Sequence, residues 1–99
     1  MSFDRFPTSF RHDIQLATSI LQSLGAKEIY VFGSLVESSN PSGARDLDIA
    51  VLGLPPEQFF HAYGQLHMEL DHAFDLVDLS NSAAFSRRLK ESGKLERVA

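Results

Sequence analysis

Three short apolar runs do most to constrain how this chain can fold. They read EIYVF at 28–32, DLDIAVL at 46–52 and FDLVDL at 74–79. Each is short enough to be a strand, and their β-branched and aromatic residues favour that assignment. The segments around them repeat apolar residues every three or four positions, which is the period of a helix. The chain is therefore predicted to form a small sheet with helices packed on it.

The predicted helices each have a boundary signal. The first predicted helix ends at Gly25. Its apolar face consists of Phe10, Ile14, Ala17, Leu21 and Leu24. A helical turn is expected at Leu35 and Val36, before the turn residues 40–43. The second long helix follows the proline pair 55–56, and the last lies between the serine-rich segment 80–82 and Gly93. The predicted order is α-β-(α)-β-α-β-α.

Composition narrows the class of protein. The chain has 99 residues, which favours one domain over residues 1–99, and its net charge of −4 makes nucleic acid an unlikely direct ligand. There is no cysteine, which excludes disulfides and thiolate chemistry. No stretch approaches the roughly 20 apolar residues that span a bilayer, and the start MSFDRFPTSFRHD has no apolar signal region. A cytoplasmic protein without a membrane partner is expected.

Two aspartates stand in the second predicted strand. Because side chains alternate along a strand, Asp46 and Asp48 share one face, and the apolar residues at 47, 49 and 51 share the other. Neighbouring carboxylates repel, and burial of an unpaired charge is costly. Such a pair favours a cation, and Mg²⁺ is typically held by one or two carboxylates together with substrate phosphates. The alternative is that both aspartates are solvated or pair with Arg45.

Two further features adjoin this pair. Only one carboxylate of the third strand can share its face, and Asp75 is the choice because it lies deeper in the apolar run than Asp78. Asp78 is predicted to lead into the following turn. After the first strand, Gly33 allows close approach of a ligand to the backbone, and Ser34 offers a hydroxyl and an N–H to a phosphate. Taken alone, this pair could equally be an ordinary turn.

In their order and spacing, VFGS, RDLDIAV and FDLVDL resemble the polymerase-β-like nucleotidyltransferase superfamily, and its minimal nucleotidyltransferase (MNT) members in particular. The resemblance implies an α+β fold with a small mixed three-stranded sheet. It also implies that Gly33 and Ser34 hold a nucleoside triphosphate. Asp46, Asp48 and Asp75 would bind two Mg²⁺ ions as metal ligands and catalytic residues. The implied reaction moves AMP from ATP to an acceptor hydroxyl, which Asp75 would activate.

The chain departs from the family pattern next to the Gly-Ser turn. The family commonly has Arg-Gly soon after the turn and a serine before the first metal ligand, whereas this chain has Leu35, Val36 and Glu37 after the turn and Arg45 before Asp46. Arg45 could supply a phosphate contact in nucleotide binding. Its plainer interpretation is a salt bridge to a neighbouring carboxylate.

The resemblance also implies a partner. Many MNT proteins act as the antitoxin of a helical HEPN-type protein, some by adenylylating it and others by complex formation. The leading hypothesis is therefore an MNT antitoxin that transfers AMP to a HEPN partner. Two alternatives remain open: an antitoxin that neutralises its partner by binding only, and a transferase for a small-molecule hydroxyl such as an antibiotic. A homo-oligomer or a hetero-oligomer is compatible with all three.

Histidines and aromatic residues complete the expectations. His61, His67 and His72 are spaced by six and five positions, which does not place them on one helix face, so they are predicted to be surface residues. A chelating pair of His67 and Asp71 is the less favoured alternative. Four aromatic residues are predicted to be core: Phe59, Phe60, Tyr63 and Phe74. Phe3 and Phe6, near the N-terminus, are expected to cover the core or meet a partner.

Overall fold

Helices and strands follow one another in the predicted order. A computed structural model describes residues 3–37, 43–80, 84–92 and 94–99. The helices are α1 (Thr8–Ser23), α2 (Ser34–Glu37), α3 (Pro56–Glu69) and α4 (Ala84–Ser92). The strands are β1 (Glu28–Phe32), β2 (Leu47–Leu52), β3 (Phe74–Asp78) and β4 (Glu96–Arg97). The predicted turn at 40–42 and most of the serine-rich segment, 81–82, lie outside the described residues.

The strands form one mixed sheet in the order β3-β2-β1-β4. β1 pairs antiparallel with both β2 and β4, whereas β2 pairs parallel with β3. The predicted α+β class with a small mixed sheet is confirmed, but the sheet has a fourth strand that the sequence did not reveal. β4 has only two residues, too few to show an alternating pattern. The pairing of β4 with β1 continues beyond Arg97, because the N–H of Val98 donates to the Ile29 carbonyl at 2.8 Å.

Two apolar clusters cover the two faces of the sheet. The larger lies between the sheet and helices α1 and α3, and it includes Leu47, Ile49 and Val51 of β2, which are at most 1% exposed. The smaller contains Ala50 with Phe32 and Leu79, and α4 contributes to it. The alternation predicted for β2 is therefore confirmed. It leaves Asp46 and Asp48 on the face of the smaller cluster, at the point where β2 begins.

Burial of the aromatic residues is partly as predicted. Phe59 and Phe74 pack against the larger cluster, and Phe6 belongs to it. The prediction for Phe60 and Tyr63 is wrong, because their exposed fractions are 85% and 43%. Successive helical residues turn by about 100°, so Phe60 points away from the face of α3 that carries Ala62 and Leu66. Tyr63 lies at the edge of that face, where its ring centroid is 4.9 Å from that of Phe74. In the described part of the chain, no helix has the length and apolar character needed to cross a membrane.

Candidate active site

Three strand ends meet at one edge of the sheet. β1 runs antiparallel to β2, and its last residue Phe32 pairs with Asp48 near the start of β2. β3 runs parallel to β2, and Asp48 pairs with Asp75 near the start of β3. The Gly-Ser turn after β1 and the carboxylates of the next two strands are thus brought to the same place. The sheet topology, which local patterns do not reveal, makes neighbours of segments that are far apart in the chain.

Asp48 is the central carboxylate of this edge. It is half-buried, whereas Asp46 and Asp75 are exposed. Burial raises its pKa, the charges of Asp75 and Asp46 raise it further, and a hydrogen bond shared with Asp75 adds to the effect, so that the pKa of Asp48 is about 6. The three carboxylates therefore form one electrostatically coupled group, which we call the carboxylate cluster.

Asp78 stays apart from the carboxylate cluster. Its Oδ1 atom accepts hydrogen bonds from the Ser80 N–H at 2.9 Å and from the Ser80 hydroxyl at 2.6 Å. It therefore leads from β3 into the next turn, as predicted. The choice of Asp75 over Asp78 as the neighbour of Asp48 agrees with the observed register.

Gly33 lies directly against the carboxylate cluster. Its φ is +75°, a backbone conformation that favours glycine. A Cβ atom at this position would overlap the Oδ2 atom of Asp48 and would lie 3.0 Å from its Cγ. Residue 33 must therefore lack a side chain if the Asp48 carboxylate is to sit where it does. Ser34 follows, exposed, and the N–H of Val36 closes the turn by donating to the Gly33 carbonyl at 3.0 Å.

The positions after the Gly-Ser turn point inward. Leu35 is 4% exposed and Val36 packs against the larger apolar cluster, so neither contacts the site edge with a polar group. Arg45 is exposed and immediately precedes Asp46. Within residues 3–37, 43–80, 84–92 and 94–99 it forms no ion pair, so the salt bridge expected for it is not found there.

A second polar group links α1 to the loop between α3 and β3. Asp13 is 1% exposed. It accepts hydrogen bonds from the backbone N–H groups of Asp71 and His72 and from the His72 ring. The surface prediction is wrong for His72, whose ring stacks on Phe10 with centroids 4.0 Å apart; His61 and His67 are exposed. Sequence reasoning missed Asp13, although its spacing from Phe10 and Ala17 places it on the apolar face of α1.

Two residues of this second group, Asp13 and Asp71, form with His12 a set that could hold a metal ion. Ligand atoms of His12, Asp13 and Asp71 lie within 4.8 Å of one another. His67, the other member of the less favoured chelating pair with Asp71, is not part of that set. Both oxygens of Asp13 already accept hydrogen bonds, which gives this carboxylate a structural role without any ion.

Comparisons with known proteins agree with this architecture. The family described as "Polymerase beta, Nucleotidyltransferase" matches residues 15–95. No curated protein matches the chain. Similar solved structures include a toxin–antitoxin complex with AMP-PNP, at 26% identity over 92% of this chain and 72% of that chain, with a TM-score of 0.60.

Two other similar structures are also toxin–antitoxin complexes. One is the MNT antitoxin of Shewanella oneidensis with a tri-AMPylated HEPN toxin, at 24% identity over 88% of this chain and 69% of that chain, with a TM-score of 0.61. The other is the MntA–HepT complex, with the same identity and coverage and a TM-score of 0.59. The chain therefore belongs to the polymerase β nucleotidyltransferase family and has the fold of its minimal, MNT-type members.

Proposed function

We propose that this protein transfers AMP from ATP to a hydroxyl of a helical HEPN-type partner and thereby acts as the antitoxin of that partner. The observation that carries the proposal is the carboxylate cluster beside a turn in which only glycine fits at residue 33. The similar structures support nucleotide binding and a HEPN-type partner, since one contains AMP-PNP and another contains an AMPylated HEPN toxin.

The carboxylate cluster suits a hard divalent cation. Asp46, Asp48 and Asp75 offer only oxygen atoms, which are the ligands that Mg²⁺ prefers. Crowding of like charges contributes to the raised pKa of Asp48, and a cation at this edge would favour the ionised carboxylate instead. Two bound Mg²⁺ ions would supply charge neutralisation at the attacking and leaving oxygens.

Residues of the chain have distinct roles in this proposal. The exposed Ser34 and the side-chain-free Gly33 would hold the triphosphate, with Arg45 as a further cationic contact. Asp75 is exposed and lies on the outermost strand of the sheet, where a protein acceptor can reach it. It would accept the proton of the acceptor hydroxyl. The oxygen of that hydroxyl bonds to the α-phosphorus, and pyrophosphate leaves with the electrons of the broken P–O bond.

A second candidate function is neutralisation by binding alone. It is favoured by the lack of a cationic residue just after the Gly-Ser turn, where this chain has Leu35, Val36 and Glu37 and the family commonly has Arg-Gly. Under this alternative, the carboxylate cluster would be unnecessary for antitoxin action.

Calorimetric titration of ATP into the purified chain, with and without Mg²⁺, is the first test. We expect binding that requires the metal and that is lost in the Asp46→Ala/Asp48→Ala double variant. Label from α-³²P-ATP should then pass to a purified HEPN-type partner protein. Transfer should be lost with Asp48→Asn and with Asp75→Asn.

Asp78→Asn is the matched control, because Asp78 lies on β3 but bonds to Ser80 instead of facing Asp48. It should transfer AMP at the rate of the unsubstituted protein. Undiminished transfer by Asp48→Asn would refute the catalytic proposal. If the triple alanine variant of the carboxylate cluster still neutralises the partner in cells, neutralisation by binding replaces it.

A further inference from the structure

We infer that Asp13 of α1 is a positioning residue that holds the start of β3, and with it the Asp75 carboxylate, in place beside β2. The inference rests on the proposed function, in which Asp75 faces the acceptor hydroxyl. It assigns a catalytic consequence to a residue that lies outside the carboxylate cluster, on the opposite face of the sheet from Asp75.

Asp13 makes its contacts with one short loop. Its two oxygens each accept from the Asp71 N–H at 3.1 Å, and Oδ2 also accepts from the His72 N–H at 2.9 Å. Oδ2 lies 2.7 Å from Nδ1 of His72. Burial alone would raise the pKa of Asp13, but the donations from Asp71 and His72 outweigh it, and the pKa lies below its usual value. An ionised carboxylate only accepts, so the Nδ1–H of His72 must donate.

The loop leads directly into the strand that carries Asp75. His72 is followed by Ala73, whose carbonyl accepts from the Leu47 N–H at 2.9 Å, and the register then pairs Asp75 with Asp48. Within the part of the chain that the structure describes, β3 is an outer strand and β2 is its one neighbour in the sheet. The start of β3 is therefore held from two sides: by β2 through the ladder, and by α1 through Asp13.

Both Asp13 and the His72 ring are packed against other residues. Asp13 sits among the buried residues of α1, and the His72 ring stacks on Phe10 at an interplanar angle of 22°. Hydrogen bonds to an ionised acceptor are shorter and stronger than those between neutral groups. Loss of the Asp13 charge would leave two backbone N–H groups and a ring donor with a weaker acceptor. The loop could then shift, and a shift of about 1 Å at a catalytic group can lower a rate by about a hundredfold.

The test compares Asp13→Asn with Thr18→Val. Thr18 is also buried on α1, but its hydroxyl donates to Ile14 within the same helix, so its loss leaves the loop untouched. For each variant, three quantities are measured at a temperature where it is fully folded: the Kd for Mg-ATP, the rate of AMP transfer, and hydrogen exchange of the β3 amides.

We expect Asp13→Asn to lower the transfer rate by about tenfold or more, with the Kd for Mg-ATP changed by less than about threefold. Amides of β3 should exchange faster, while those that pair β1 with β2 should not. Thr18→Val should change none of the three quantities. If Asp13→Asn does not fold, His72→Phe removes only the ring donation and should show a smaller loss of the same kind.

Unchanged transfer, or equal losses of ATP affinity and transfer rate, would overturn the inference. Faster exchange spread over the whole sheet would do the same, because it would indicate general destabilisation. Absence of transfer by the unsubstituted protein would instead refute the proposed function. In that case, the exchange of the β3 amides alone decides whether Asp13 holds the strand.

Discussion

Asp48→Asn should stabilise the metal-free protein at neutral pH although it destroys the proposed site. The pKa of Asp48 is raised from 3.8 to about 6, first by burial and then by the charges of Asp75 and Asp46. Each pKa unit corresponds to about 1.4 kcal/mol, which gives an upper value of about 3 kcal/mol. Because Asp48 is only half-buried and water screens part of the repulsion, we expect a gain of about 2 kcal/mol in the free energy of unfolding.

The effect should depend on pH in a definite direction. The unfolded chain releases the Asp48 proton near pH 3.8, and the folded chain releases it near 6. Between these values the folded chain holds more protons, so its stability falls as the pH rises and the loss is complete above about pH 6. Asparagine carries no charge, so the variant does not lose this stability as the pH rises. Its advantage should therefore be present at pH 7.5 and absent at pH 3.5.

Urea and thermal unfolding in EDTA at the two pH values measure the effect. At pH 7.5 the variant should melt about 10 °C higher than the unsubstituted protein, while Asp78→Asn should give no gain. Saturating Mg²⁺ should stabilise the unsubstituted protein and shrink the difference, because a bound cation stabilises only the chain that binds it. A gain of the same size at both pH values, or a loss at pH 7.5, would refute the electrostatic argument.

Two further pairs of variants test the turn and the core. Gly33→Ala should lower the free energy of unfolding by about 2 kcal/mol or more and abolish Mg-ATP binding, because φ is positive and the new Cβ would overlap Asp48. Gly64→Ala, with open space around it in α3, should raise stability by up to about 1 kcal/mol in urea titrations; equal effects would contradict the close approach at residue 33. Leu66→Ala should cost about 2–5 kcal/mol because the side chain is fully buried, whereas Met68→Ala on the same helix should stay within about 0.5 kcal/mol because Met68 is 83% exposed. A large loss for Met68→Ala would show that α3 is covered in solution.

Local patterns were sufficient for the main strands and for the faces of β2. The strand period of two placed Asp48 opposite Ile49 and set Asp75 and Asp78 on different faces. The deeper position of Asp75 in its apolar run then favoured it as the neighbour of Asp48. Local patterns were insufficient to decide which of several aromatic residues in α3 face the core. Phe60 follows Phe59 directly, and only the packing of α3 decides which of them is buried.

The sequence by itself determined the order of the elements from α1 to α4, the alternation that sets two aspartates on one face, and a glycine at the end of β1, because each of these depends on residues close together in the chain. Only the tertiary structure decided that Asp48 and Asp75 are paired, that β4 adds to the free side of β1, and that Asp13 holds the loop before β3. These contacts join segments far apart in the chain. Their free energy comes from burial and hydrogen bonding that exist only once the sheet and helices have assembled.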